Sequence, residues 1–155
     1  MELAEILSED SVLVLDKVAD KAELFGILSE RAAKVTGLDA AAVYEALAAR
    51  EALGSTGLGS GIAIPHGKLA GLDGVRALFV RLREPMDFEA IDDEKVDLIM
   101  TLLAPVGAGA DHLKALARVA RLLRTESLVK SLRGTTDPAR LHDILTTPLT
   151  SQNAA

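Results

Sequence analysis

Two stretches, residues 75–82 and 96–104, limit the fold most. Each is long enough for a full strand, rich in leucine or β-branched residues, and largely apolar on both faces rather than alternating. Strands of this kind belong in the middle of a sheet covered on both sides, since neither face is suited to water. The cover has to come from the rest of the chain, which reads mainly as helices. Asp20, with Glu23 three residues later, makes a capping box. Leu24, Phe25, Leu28, Ala32 and Val35 then form a stripe that Gly37 ends. Asp39 caps a second helix that runs to about Leu53 and stops at Gly54, with Val43, Ala46 and Leu47 inward. Asp111 caps a third, predicted to turn Leu113, Leu116, Ala117, Ala120 and Leu123 inward and Lys114, Arg118 and Arg121 outward. A short helix over 128–132 ends at Gly134. Asp137-Pro138 opens a last one, with Leu141, Ile144 and Leu145 packed and Pro148 as its stop. Residues 2–7 suggest a short helix, and 12–15 and 62–64 brief strands. Residues 82–88 read as a turn leading into another extended piece. The fold class is α/β, with helices on both faces of a small mixed sheet.

The 155 residues suit one domain, taken as 1–150, with 151–155 as a disordered tail. Aromatic residues are 3% of the chain, so the core is aliphatic. A net charge of −6 without a basic block gives no electrostatic footprint for nucleic acid. The chain has no cysteine, which removes disulfides, zinc–thiolate sites and thiol nucleophiles and fits a cytoplasmic protein. The acidic residues 1–10 do not form a signal peptide. No stretch is apolar for long enough to span a bilayer, so direct membrane insertion is not expected.

The chemistry concentrates where the second helix ends. Residues 54–68 read Gly-Ser-Thr-Gly-Leu-Gly-Ser-Gly-Ile-Ala-Ile-Pro-His-Gly-Lys. Gly54, Gly57, Gly59 and Gly61 permit close backbone approach and positive φ, and Pro65 makes Ile64 extended. His66 is thereby presented at a strand end between a proline and a glycine. The glycines fit neither nucleotide motif: the dinucleotide fingerprint lacks its third glycine, and the spacing from Gly61 to Gly67, followed by Lys68-Leu69, is wrong for a P-loop. A neutral imidazole can accept a proton, a metal or a phosphoryl group. Alone, His66 would most often be an inert loop histidine. Two further residues change that balance. Arg50 continues the Val43–Leu47 stripe of its helix, where a guanidinium needs an anion or acceptors, although the helix C-terminus also favours a cation. His112 follows the strand over 96–104 as His66 follows that over 62–64, so parallel strands would bring the two histidines to one sheet edge. An arginine, two histidines and a loop of backbone N–H groups suit a phosphoryl group. Two histidines without an obvious third ligand make a poor zinc site, with Asp111 as the one residue that keeps it open. His142 faces away from its helix's apolar stripe and is assigned to the surface.

The run from Arg50 to Lys68 closely resembles the phosphorylation-site signature of the enzyme IIA component of the phosphoenolpyruvate-dependent phosphotransferase system, fructose/mannitol type. The resemblance continues through Pro85-Met86-Asp87-Phe88-Glu89-Ala90-Ile91-Asp92, Val96-Asp97-Leu98 and His112-Leu113-Lys114-Ala115-Leu116, and so spans nearly the whole chain. The Gly-Ser-Thr-Gly start is most similar to the nitrogen-regulatory branch. Ser60 stands where that branch more commonly has asparagine, and the helix after His112 is more basic than usual. The resemblance implies a three-layer α/β/α sandwich and a phosphocarrier without cofactor or metal. It further implies that an HPr-type protein donates a phosphoryl group to the tele nitrogen of His66, with His112 as hydrogen-bonding neighbour and Arg50 as charge stabiliser. Gly54, Ser55, Thr56, Gly57, Gly59 and Gly61 would serve as phosphate-binding and docking loop. Three roles follow: a regulatory phosphocarrier whose state switches binding to target proteins such as potassium-transport or sensor components, a sugar-transport subunit that passes the group to a IIB domain, or an interaction module that is no longer phosphorylated.

Overall fold

The structure, a computed structural model, describes residues 2–147. The tail expected over 151–155 and the stop expected at Pro148 lie outside the described residues. A six-stranded mixed sheet forms the middle layer. Its two long strands, β5 (Arg76–Met86) and β6 (Val96–Pro105), pair antiparallel at the centre, as their two-sided apolarity requires. Strand β1 (Val12–Leu15) adds to the far side of β5 in parallel. On the other side β6 carries two short parallel partners in line, β3 (Ile62–Ala63) and β4 (His66–Leu69). Strand β2 (Gly57–Gly59) closes that edge, antiparallel to β3.

The helices segregate as the sequence implies. α2 (Lys21–Thr36) and α3 (Ala40–Ala52) cover one face, with Leu24, Leu28, Val43 and Leu47 packed on Val80, Ile99 and Leu103. α1 (Leu3–Ile6), α4 (Ala110–Leu122), α5 (Glu126–Arg133) and α6 (Pro138–Thr146) cover the other, against Phe79, Leu98, Met100 and Leu102. Alternate residues of one strand thus feed two cores, and the chain is a three-layer α/β/α sandwich. Asp20 caps α2 through the Glu23 N–H, and Asp137 caps α6 through that of Ala139.

Several local expectations are corrected. The 82–88 turn is absent: β5 runs on through Pro85 to Met86, its pairing with β6 shifting register between Arg81 and Met86. Proline is tolerated beside such an irregularity because the regular ladder bond is already lost there. The third helix begins at Ala110 with Gly109, not Asp111, at its N-cap. Its buried face is His112, Ala115, Val119 and Leu122, so Leu113 and Ala117 are exposed rather than inward. The helix thus starts two residues earlier than a cap at Asp111 would place it, and the stripe that meets the sheet includes His112. Asp39 precedes α3 without a side-chain cap bond.

Candidate functional site

The arrangement at His66 starts with a break in the sheet edge. β3 and β4 would be one strand but for Ile64-Pro65, which lack a regular place in it. The chain resumes pairing at His66, opposite Leu102. The next residue is glycine for a spatial reason: a Cβ on Gly67 would lie 3.0 Å from Ala46 Cβ and 3.2 Å from its carbonyl carbon. α3 therefore rests directly on β4, which brings the last turn of that helix, and Arg50, to the histidine.

His66 is held at both ring nitrogens. Nδ1 lies 2.9 Å from the Ile64 carbonyl oxygen, and Nε2 lies 3.2 Å from Arg50 Nε. A carbonyl only accepts and a guanidinium only donates. The ring consequently carries its proton on Nδ1 and its lone pair on Nε2. Burial pushes the His66 pKa below its ordinary 6.5; the Ile64 bond acts against this, and the Arg50 charge adds to it. A half-buried imidazole that is neutral at pH 7, with a defined lone pair, is a prepared nucleophile.

His112 comes from the first turn of α4 to within 5.4 Å of His66 between ring centroids, tilted by 51°. It is buried, and its Nδ1 has no hydrogen-bond partner among the described residues. Its pKa is also lowered, first by desolvation and then by the charges of His66 and Lys68. The parallel pairing of β3 and β4 with β6 is what sends both histidines to the same end of the sheet. They line an open cleft of ≈ 410 Å³ with Ala46, Arg50, Leu53 and Lys68. Arg50 is tied to the following chain as well, donating from Nη1 to the Gly54 carbonyl at 2.9 Å.

The glycine run is placed differently from expectation. Gly54 adjoins the site through Arg50, but Gly57, Gly59 and Gly61 belong to a hairpin. Ser60 and Gly61, with φ of 58° and 82°, form its turn. The Thr56 N–H is given to the Glu51 carboxylate, the Gly57 N–H to Ser55 Oγ and the Ser60 N–H to Asp92. Gly59 pairs with Ile62, which lies opposite Leu98, whereas His66 lies opposite Leu102. At the usual rise per residue, the hairpin tip is about 13 Å from His66 along the sheet. Of the loop expected to bind phosphate and dock the donor, Gly54 lies beside Arg50, while Gly57, Gly59 and Gly61 lie in the hairpin. The glycines answer to packing: a Cβ on Gly57 would lie 2.7 Å from Ala90 Cβ.

Glu51 has a place that sequence reasoning missed. Its side chain, 7% exposed, pairs with Lys21 Nζ at 3.0 Å and accepts from both the backbone and the hydroxyl of Thr56. Lys21 also lies over the Phe88 ring. The signal available in sequence was only an acidic residue in the last turn of a helix, where a carboxylate is disfavoured. His142, expected on the surface, is half-buried and its Nε2 lies 2.9 Å from the Leu7 carbonyl. Among the described residues, no three His, Asp or Glu side chains gather as metal ligands, so Asp111 does not complete a set with the two histidines. No helix among them is long and apolar enough to cross a membrane.

A mixed sheet between helical layers, with a polarised histidine and an arginine at one end, is the frame of a phosphocarrier domain. The chain belongs to the family "phosphoenolpyruvate-dependent sugar phosphotransferase system, EIIA 2", which matches residues 5–147. A nitrogen regulatory protein of Bradyrhizobium diazoefficiens is 46% identical over 148 residues, covering 96% of this chain and 97% of that protein. The crystal structure of nitrogen regulatory protein IIA-Ntr from Neisseria meningitidis superposes with a TM-score of 0.86 at 39% identity, covering 92% of this chain and 97% of that one. The fructose-specific EIIABC component of Bacillus subtilis is 33% identical over 85% of this chain, which spans 21% of that protein.

Proposed function

We propose that the protein accepts a phosphoryl group on Nε2 of His66 from an HPr-type carrier and regulates partner proteins through its phosphorylation state. The observation that carries this reading is the pair of bonds on the His66 ring. They leave Nε2 with its lone pair facing the Arg50 guanidinium and the cleft. In the transfer, that lone pair forms the new N–P bond as the donor's N–P bond breaks, and the breaking pair returns to the donor nitrogen. The Nδ1–H stays on the Ile64 carbonyl, whose dipole stabilises the positive charge the ring acquires.

Arg50 has five donor N–H groups, of which one is on His66 and one on Gly54. As Nε2 is used for bonding, the Nε–H loses its acceptor and gains the phosphoryl oxygens in its place. Stabilisation of transferred charge by a group already in position is the main work of a phosphotransfer site. The His66 tautomer is fixed without His112, so the role left for His112 is contact with the phosphoryl oxygens. Leu53, three residues after Arg50, and Leu113, next to His112, are exposed at 84% and 66% and offer apolar contact to the donor.

The regulatory role follows the nitrogen regulatory relatives, which match this chain over nearly their full length. Passage of the group to a IIB domain is the alternative that the fructose-specific relative suggests. Incubation with phosphoenolpyruvate, enzyme I and the carrier should produce acid-labile, base-stable phosphate with one-bond coupling of phosphorus to Nε2. Labelling of a His66→Ala variant would remove the assignment, and rapid discharge to a cognate IIB would favour the transport role.

A further inference from the structure

Beyond the His66 cleft, a second concavity lies at the opposite end of α4. It is a groove of ≈ 750 Å³ between the β2–β3 hairpin, the C-terminal part of α4 and α5. Its floor is apolar: Leu58, Ile62, Ala120, Leu123 and Val129. Its polar lining residues, among them Arg124 and Lys130, are all exposed and stand on the rim. Arg133 is already engaged with Asp97 and the Ser60 carbonyl, each at 2.8 Å, whereas Arg124 and Lys130 have no ion-pair partner among the described residues. The charge here runs against that of the chain. The groove is lined by three basic side chains, Arg124, Lys130 and Arg133, against one acidic one, Glu126, in a protein of net charge −6.

We infer that this groove docks an amphipathic helix with acidic flanks, presented by a partner protein. An apolar floor between charged rims is the form that takes a helix by its apolar face, and the free Arg124 and Lys130 select carboxylates beside that face. No buried polar side chain converges on the floor, as orienting a small ligand would require. Addition of an extended strand is also disfavoured, because the neighbouring sheet edge, β2, has three residues and an irregular register. His112 to Leu123 spans about 17 Å of helix. A partner in the groove thus leaves the His66 cleft open, and the inference does not depend on phosphorylation of His66.

The test uses a labelled peptide of about 15 residues, long enough for a stable helical face when bound. It carries leucines at i, i+3, i+4 and i+7 and glutamates on the flanks. Companion peptides replace the glutamates by lysines or place a proline at the centre. Fluorescence anisotropy should show saturable binding of the acidic helix alone, unchanged in His66→Ala. An Arg124→Glu/Lys130→Glu variant, both positions exposed and its fold checked by circular dichroism, should weaken that binding by about tenfold or more. Chemical-shift changes should fall on Leu58, Ala120 and Val129. The inference is overturned by absence of saturable binding or by equal binding of the proline or lysine peptide. It is equally overturned by indifference to the charge reversal, or by capture on phosphatidylglycerol vesicles in place of the peptide.

Discussion

Arg50 donates its Nε–H to the Nε2 of His66 across 3.2 Å, and the same guanidinium holds the Gly54 carbonyl through Nη1. One planar group thus links the end of α3, the start of the following chain and the reactive nitrogen. Lysine cannot reproduce this, since it has no rigid fork. Arg50→Lys and Arg50→Ala should lower the rate of phosphoryl uptake by about 10²-fold, the scale for loss of one positioned donor in a charge-stabilising site. Arg50 is only partly buried, so the urea midpoint should change little. Rapid-quench transfer from the phosphorylated carrier measures the first, and a transfer rate equal to that of the unaltered protein would take Arg50 out of the site.

The two imidazoles make stability depend on pH. Both have pKa values below 6.5, chiefly through burial. In the window beneath 6.5 the unfolded chain therefore binds more protons at these rings than the folded one, and stability rises with pH there. It is fully present above about 6.5 and is lost as pH falls toward the lowered native values. Urea midpoints between pH 8 and pH 5 should decline on the acid side, with a shallower decline in a His66→Gln/His112→Gln variant. An identical slope in the two proteins would show that other groups govern the acid limb.

Gly67 sets the distance between α3 and β4. In Gly67→Ala the new methyl meets Ala46, including backbone atoms of the helix that cannot swing away. The helix has to move outward, at about 1–3 kcal/mol for an overpacked contact, and Arg50 moves with it. The variant should lose stability in urea and also transfer more slowly. Loss of stability with unaltered transfer would mean that the Arg50–His66 bond survives the displacement.

Legibility in the sequence followed from how local each cause is. The two-sided apolar strands, the Asp20 and Asp137 caps and the helix-ending Gly37 rest on contacts within a few residues, and the layers follow from them. The meeting of His66 with Arg50 and His112 was legible because each side chain was anomalous for its position. The packing role of the glycines was not legible, because glycine marks any close approach. Only the fold shows that Gly57 faces Ala90 and Gly67 faces Ala46, while the hairpin turns away from the site. The inward stripe of α4 was misplaced because Leu113 and Ala117 are apolar but exposed, and packing on the sheet selects the face of His112, Ala115, Val119 and Leu122. Glu51 was invisible because Lys21 is brought to it by tertiary packing and Thr56 by the particular turn the chain takes after α3.

Glu51 gives the last prediction. Its carboxylate is nearly inaccessible and satisfies Lys21 Nζ, Thr56 N–H and Thr56 Oγ–H together. Removing it leaves a half-buried ammonium and a buried backbone donor without their acceptor. Leaving a buried donor unsatisfied costs about 1–3 kcal/mol, and the half-buried ammonium adds less than a fully buried one would. Glu51→Ala should therefore be strongly destabilised in urea. Glu51→Gln keeps an acceptor oxygen for Thr56 while losing the ion pair, and should fall between. Lys21→Met in the Glu51→Gln background tests the pairing directly, because removing the unpaired ammonium should restore part of the lost stability. Additive losses in this double variant would mean that the Lys21–Glu51 contact contributes nothing. The segment they clamp is the one that leads from Arg50 into the hairpin, so the same variants should broaden the amide resonances of residues 54–57 before global unfolding begins.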